Sequence, residues 1–180
     1  CLQAGETTSV MNLVISPFND YDLPFFGADF VTLPSGHLIA LDLQPALKDD
    51  KVHTQYVVGK LKAIHAKWQF KLPSGGDIPL EARQYFSPGF LWSRIPLGED
   101  GDQLINQIIK PAFDDYLNLF LDLLTTAKMI PQKRSFELLN GQKKYMQYRA
   151  EKDPARGMLR RFFGDLWTES YINNILFDLQ

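Results

Sequence analysis

The sequence predicts an α+β fold built on an antiparallel sheet, and three observations carry that prediction. Segments with strand character fill the first half of the chain. Apolar residues at helical spacing fill the second half. Two apolar segments, ADFVTL and HLIALDL, flank Pro34-Ser35-Gly36, a tripeptide suited to a tight reversal. Strands first and helices later fit a sheet with helices packed on it. The 180 residues, 45% hydrophobic and 13% aromatic, are enough for one domain over residues 1–180.

The elements follow in order. VMNLVIS (residues 10–16) is β-branched and apolar, so it reads as a strand. PFNDYDLPFFG follows, broken by Pro17, Pro24 and Gly27. ADFVTL and HLIALDL then pair as a hairpin; both are apolar on both faces, which suits a sheet covered on both sides. FLWSRI (90–95) is a further strand. LPSG occurs at 33–36 and 72–75, which is reused turn chemistry rather than a repeat. Leu104, Ile108, Ala112, Tyr116 and Phe120 recur every four residues, beside Ile105, Ile109, Phe113, Leu117 and Leu121. Together they form the wide stripe of a largely buried helix, which Pro111 should kink or restart. A second helix is expected over about 136–152 and a third over about 168–179.

Composition excludes several function classes. The net charge of −2 offers no global field for nucleic acid. The single cysteine, Cys1, forms no internal disulfide, which points to a reducing compartment. No apolar run approaches a membrane span. The opening CLQAGETTSVMNLVIS lacks an initiator Met and the regions of a signal peptide, so we expect an N-terminal segment to precede Cys1. No GxGxxG follows a strand, and LPSGGDIP has neither the spacing nor the lysine of a phosphate loop. His37, His53 and His65 lack ligand spacing, so no metal is expected. A redox reaction here must run without a bound cofactor.

Two acids stand out. Asp42 interrupts the apolar strand HLIALDL and shares its face with Leu38, Ala40 and Gln44. Burial would favour its neutral form. Tyr145, Arg149 and Asp153 are spaced i, i+4, i+8, and Pro154 should end their helix at Asp153, where the helix dipole opposes negative charge. Each acid could be a structural ion-pair partner of an arginine, or a proton donor lining a pocket. Spacing alone leaves both readings open.

YDLPFFGADFVTLPSGHLIALDLQP, YFSPGFLWSR and YRAEKDPARGMLRRFFGDLWTESYINNILFDL together resemble the ferredoxin-dependent bilin reductases. The resemblance covers nearly the whole chain. It implies a three-layer α/β/α sandwich with a central antiparallel sheet and a linear tetrapyrrole substrate. It also implies reduced ferredoxin as external electron donor, and neither metal nor flavin. The branch it most resembles reduces the A-ring diene of 15,16-dihydrobiliverdin to phycoerythrobilin through bilin radicals. By that resemblance Asp42 and Asp153 are the proton donors. Arg94 grips a propionate, and Arg149 holds or tunes Asp153. His37 alternates to the face opposite Asp42 and is no substitute for the pocket histidine of another branch. An upstream bilin reductase is a further expected partner. The expected location is the plastid stroma of a phycobiliprotein-containing alga, or the cytoplasm of a cyanobacterium. The alternatives are a reductase of different regiospecificity and a silent bilin carrier. Between Lys128 and Arg161 ten Lys or Arg face three acids, so this stretch is the expected ferredoxin dock.

Overall fold

The structure, a computed structural model, describes residues 2–153 and 156–177. The chain forms two compact units, Cys1–Ile130 and Pro131–Gln180.

The first unit carries a five-stranded antiparallel sheet: β1 Leu2–Ala4, β2 Ser9–Ile15, β3 Phe25–Leu33, β4 Gly36–Gln44 and β5 Leu91–Ile95. Strand order in the sheet equals order in the sequence. The expected hairpin is present, with Leu33 opposite Gly36 across a Pro34-Ser35 loop. Gly36 is required twice over. Its φ is +131°, and a Cβ there would stand 2.6 Å from the Ile95 carbonyl oxygen.

Register alternation puts Leu13, Ile15, Phe26, Ala28, Phe30, Ile39, Leu41, Leu43, Leu91 and Ile95 on one face. This face meets two helices. One is α1, Lys51–Gln69, to which the sequence reading assigned no element. Its buried His53, Val57, Leu61 and Trp68 form a narrow stripe among lysines, too weak to stand out. Asp50 caps it by accepting the His53 N–H at 3.0 Å. A short helix, α2, spans Leu80–Arg83.

The predicted stripe around 104–121 is a continuous helical rod. It runs from α3, Glu99–Leu104, through a π-helical turn, Ile105–Ile109, into α4, Lys110–Thr126. Pro111 stands at the start of α4. It has no N–H to give, and the wide turn before it absorbs the missing hydrogen bond. Ala112, Tyr116, Leu119 and Phe120 of α4 enter the core. Phe26 lies at its centre, 5.8 Å from the Phe113 ring and 5.6 Å from Phe120.

The second unit holds α5, Gln132–Glu151, α6, Arg156–Phe163, and α7, Asp165–Tyr171, which continues as a π-helical turn, Ile172–Leu176. Ala150, Ile172 and Phe177 form its own small core. The expected second helix begins a turn early and ends on time. α6 was not anticipated; Gly164, at φ +79°, separates it from α7. The end of the expected third helix lies outside the described residues. No helix among the described residues is long and apolar enough to cross a membrane. The architecture is thus the expected α+β class, built on an antiparallel sheet.

Candidate active site

The sheet has a second face, and none of its residues belongs to the helix-packed core. β2 contributes Asn12 to it, β3 contributes Gly27 and Asp29, β4 contributes Ala40 and Asp42, and β5 contributes Trp92 and Arg94.

Asp42 is 1% exposed. Its Oδ1 accepts the Ser87 hydroxyl, and its Oδ2 accepts the Ser87 N–H at 2.8 Å. Burial pushes its carboxyl up to about 7, against the pull of Ser87, the Leu43 backbone and the charge of Lys48. Among the described residues it forms no ion pair with an arginine. What it secures is the loop at 85–90. Ser87 Oγ in turn accepts the Gly89 N–H at 2.9 Å, and the buried Tyr116 hydroxyl donates to the Gly89 carbonyl at 2.6 Å.

That loop begins an aromatic row. Phe86 stacks on Phe90 at 3.9 Å, and Phe90 on Trp92 at 6.1 Å. The second LPSG segment brackets Trp92. Trp92 Nε1 donates to the Gly76 carbonyl at 3.2 Å, and a Cβ at Gly75 would fall 2.2 Å from the indole. Only glycine lets the backbone pass there.

Trp92 stands opposite Ala40, Ala40 opposite Asp29, and Asp29 opposite Asn12, so one row crosses four strands. The Asn12 side-chain amide donates to Asp29 Oδ1. Asp29 is half-buried, in the middle strand of the sheet. The sequence reading missed it, although the signal was present. Asn12 in VMNLVI and Asp29 in ADFVTL are polar residues in strand interiors, as Asp42 is.

Arg94 is exposed, opposite Leu38, two residues along from this row. It shares a face with Asp42 but is offset by four residues, about 13 Å along the strand, so the two do not meet. In the second unit Tyr145 and Arg149 share a helix face, as their spacing requires. Arg149 Nη1 donates to the Tyr145 hydroxyl at 3.2 Å, and the guanidinium lies 6.0 Å and 5.7 Å from the Tyr145 and Phe177 ring centres. Asp153 follows Lys152, the C-cap of α5, and is half-buried. Pro154 lies outside the described residues.

The histidines have local duties. His53, buried, pairs through Nδ1 with Asp22, and its Nε2 accepts the Ala46 N–H at 3.0 Å. His37 Nδ1 meets Thr32 Oγ1 at 2.9 Å. Among the described residues no three His, Cys, Asp or Glu gather to hold a metal ion.

Comparison with known proteins adds the rest. The family model described as ferredoxin-dependent bilin reductase matches residues 1–178. A phycoerythrobilin:ferredoxin oxidoreductase of Prochlorococcus marinus (strain NATL2A) is 80% identical over 180 residues, covering 100% of this chain and 70% of that protein. Its namesake from Synechococcus sp. (strain WH8020) is 60% identical over 179 residues, 99% of this chain and 70% of that one. The crystal structure of phytochromobilin synthase from tomato in complex with biliverdin superposes with a TM-score of 0.86 at 26% identity, over 98% of this chain. This chain spans 62% of the tomato chain's length. With the family's model matched along both units and relatives named as oxidoreductases at this identity, the chain belongs to the ferredoxin-dependent bilin reductases.

Proposed function

We propose that this chain reduces 15,16-dihydrobiliverdin to phycoerythrobilin, adding two electrons from ferredoxin and two protons across the A-ring diene. The observation that carries this reading is the row Asn12–Asp29–Ala40–Trp92, with Phe90 and Phe86 stacked beyond it. A linear tetrapyrrole is flat, conjugated and apolar, with polar nitrogens along its inner edge. A sheet face with small and aromatic groups around one carboxyl suits such a molecule. The pigment itself accepts the electrons, so the reaction needs no bound cofactor.

The geometry also supports a choice between the two sheet acids. A proton donor must reach its ligand. Both oxygens of Asp42 are held by Ser87 and the group is sealed, whereas Asp29 is half-buried in the row that crosses the sheet. We therefore assign the sheet's proton donor to Asp29, steadied by Asn12, and give Asp42 the task of holding the 85–90 loop. Asp153 supplies the second proton from the end of α5. Arg149, held over Tyr145 and Phe177, fixes the helix end before it. The compartment is the one that holds the ferredoxin: plastid stroma, or cytoplasm in a cyanobacterium. A 15,16-reduced substrate must come from an earlier reduction, so an upstream bilin reductase is its source.

The test is an anaerobic assay with reduced ferredoxin and 15,16-dihydrobiliverdin, followed by absorbance. Bound pigment with an unchanged spectrum would replace this reading with that of a carrier. A product reduced at another ring would replace the regiochemistry alone.

Arg94 is assigned to a propionate, which a guanidinium can grip with two hydrogen bonds. Arg94→Gln should weaken pigment binding by about 10–100-fold, the equivalent of a charged hydrogen bond, while bound pigment turns over at the parent rate. Unchanged affinity in a pigment titration removes the assignment.

Ferredoxins are generally acidic, and the second unit presents Lys143, Lys144, Lys152 and Arg161 as exposed cations. Arg160 adds less than its charge suggests, since it is paired with Asp165 at 3.2 Å and Glu169 at 2.8 Å. At limiting ferredoxin, turnover should fall as salt rises, and Lys143→Glu with Lys144→Glu should reproduce that fall at low salt. A rate indifferent to salt moves the dock elsewhere.

A further inference from the structure

We propose that Arg156 is a positioning residue for Asp153, holding the end of α5 through a forked pair with Glu169 of α7. The proposal rests on the reading of Asp153 as a proton donor. A helix leaves its last carbonyls without partners. Here Arg156 Nη2 donates to the Ala150 carbonyl, in the last turn of α5. The Arg156 backbone N–H donates to the Asp153 carbonyl at 3.2 Å. Its Nη1 meets both oxygens of Glu169. One residue thus bonds the helix before Asp153, Asp153 itself and a helix beyond it. The Arg156 side chain is 20% exposed, so water competes weakly for these bonds. Glu169 also accepts from Arg160 at 2.8 Å, and the two guanidiniums hold its carboxyl below the usual range, keeping it ionised.

The chemistry explains the choice of residue. Arginine presents several donors in a rigid plane and can hold a carbonyl and a carboxylate at once. A lysine keeps the charge but loses the fork. A proton donor displaced by about 1 Å can lose up to about 100-fold in rate. Anchoring the segment from both sides limits that displacement.

The experiment compares Arg156→Gln, Arg156→Lys and Glu169→Gln, each in the parent and in an Asp153→Asn background. Pigment affinity and circular dichroism report on folding. In the parent background all three should lower kcat by about 10–100-fold with KM nearly unchanged, and Arg156→Lys should not rescue. In the Asp153→Asn background they should lower kcat no further, because the group they position is gone. Equal losses in both backgrounds, or full rescue by Arg156→Lys, would overturn the proposal and leave Arg156 a general stabiliser. Parent-rate turnover by Asp153→Asn alone would overturn the proton-donor reading itself, and this proposal with it.

Discussion

Asp29→Asn should bind pigment, accept an electron and then stall. Asparagine keeps the shape of the side chain and can still pair with Asn12, but it has no acidic proton to give. General acids contribute about 10²–10⁴-fold to their reactions, so kcat should fall by that order while affinity holds. Asp153→Asn should stall as well. The two acids stand in different surroundings, one in a sheet beside an amide, the other at a helix end near an anchored arginine. Different surroundings fit different steps, so the two variants should accumulate different pigment radicals, separable by absorbance and electron paramagnetic resonance. Asp42→Asn is the control, and it should stay within a few-fold of the parent. If instead Asp42→Asn stalls and Asp29→Asn turns over, the roles given to the two sheet acids are reversed.

Asp42 should reveal itself in stability. In the folded chain its carboxyl titrates near 7, while the ordinary value is 3.8. Between those values the folded state binds one proton more than the unfolded state, so raising the pH removes stability. The contribution is fully present below pH 3.8 and is lost as pH climbs through 7. At ~1.4 kcal/mol per unit the loss is about 4 kcal/mol at most. Asp42→Asn, neutral throughout and still able to bond both groups of Ser87, should flatten that slope. Urea unfolding of both proteins at pH 5 and pH 8 measures the difference. Other carboxylates, Glu169 among them, shift the opposite way, so the comparison with the variant carries the result. Parallel slopes would mean that Asp42 is charged in the folded chain.

Local chemistry was legible in the sequence where it is settled by near neighbours. Pro34-Ser35-Gly36 marked the hairpin, Pro154 marked the end of α5, and the four-residue spacing of Tyr145 and Arg149 put them on one face. Alternation placed Asp42 correctly among Leu38, Ala40 and Gln44. What alternation could not tell was who faces Asp42. Its partner is Ser87, 45 residues away, and on the assignment proposed above that pairing gives Asp42 the role of an anchor. Asp29 has a partner that is equally hidden in the sequence. Its partner Asn12 is 17 residues away, and only the register of β2 on β3 brings them together. α1 escaped notice because lysines break up its stripe, and α6 because Gly164 is a single residue inside an otherwise helical pattern.

The order of the strands bears on how the protein assembles. β1 to β4 succeed one another through connections of two to nine residues, so their pairing closes small loops at little entropic cost. β5 is different. It begins at Leu91, well after β4 ends at Gln44, and α1 lies between them. Contacts so distant along the chain form slowly. The row through Asn12, Asp29 and Ala40 can therefore be laid down early, while Trp92, Arg94 and the Ser87 clasp on Asp42 arrive last. A chain released from denaturant should recover its β-sheet signal before it recovers pigment binding, and the interval between the two is the time β5 takes to find its edge.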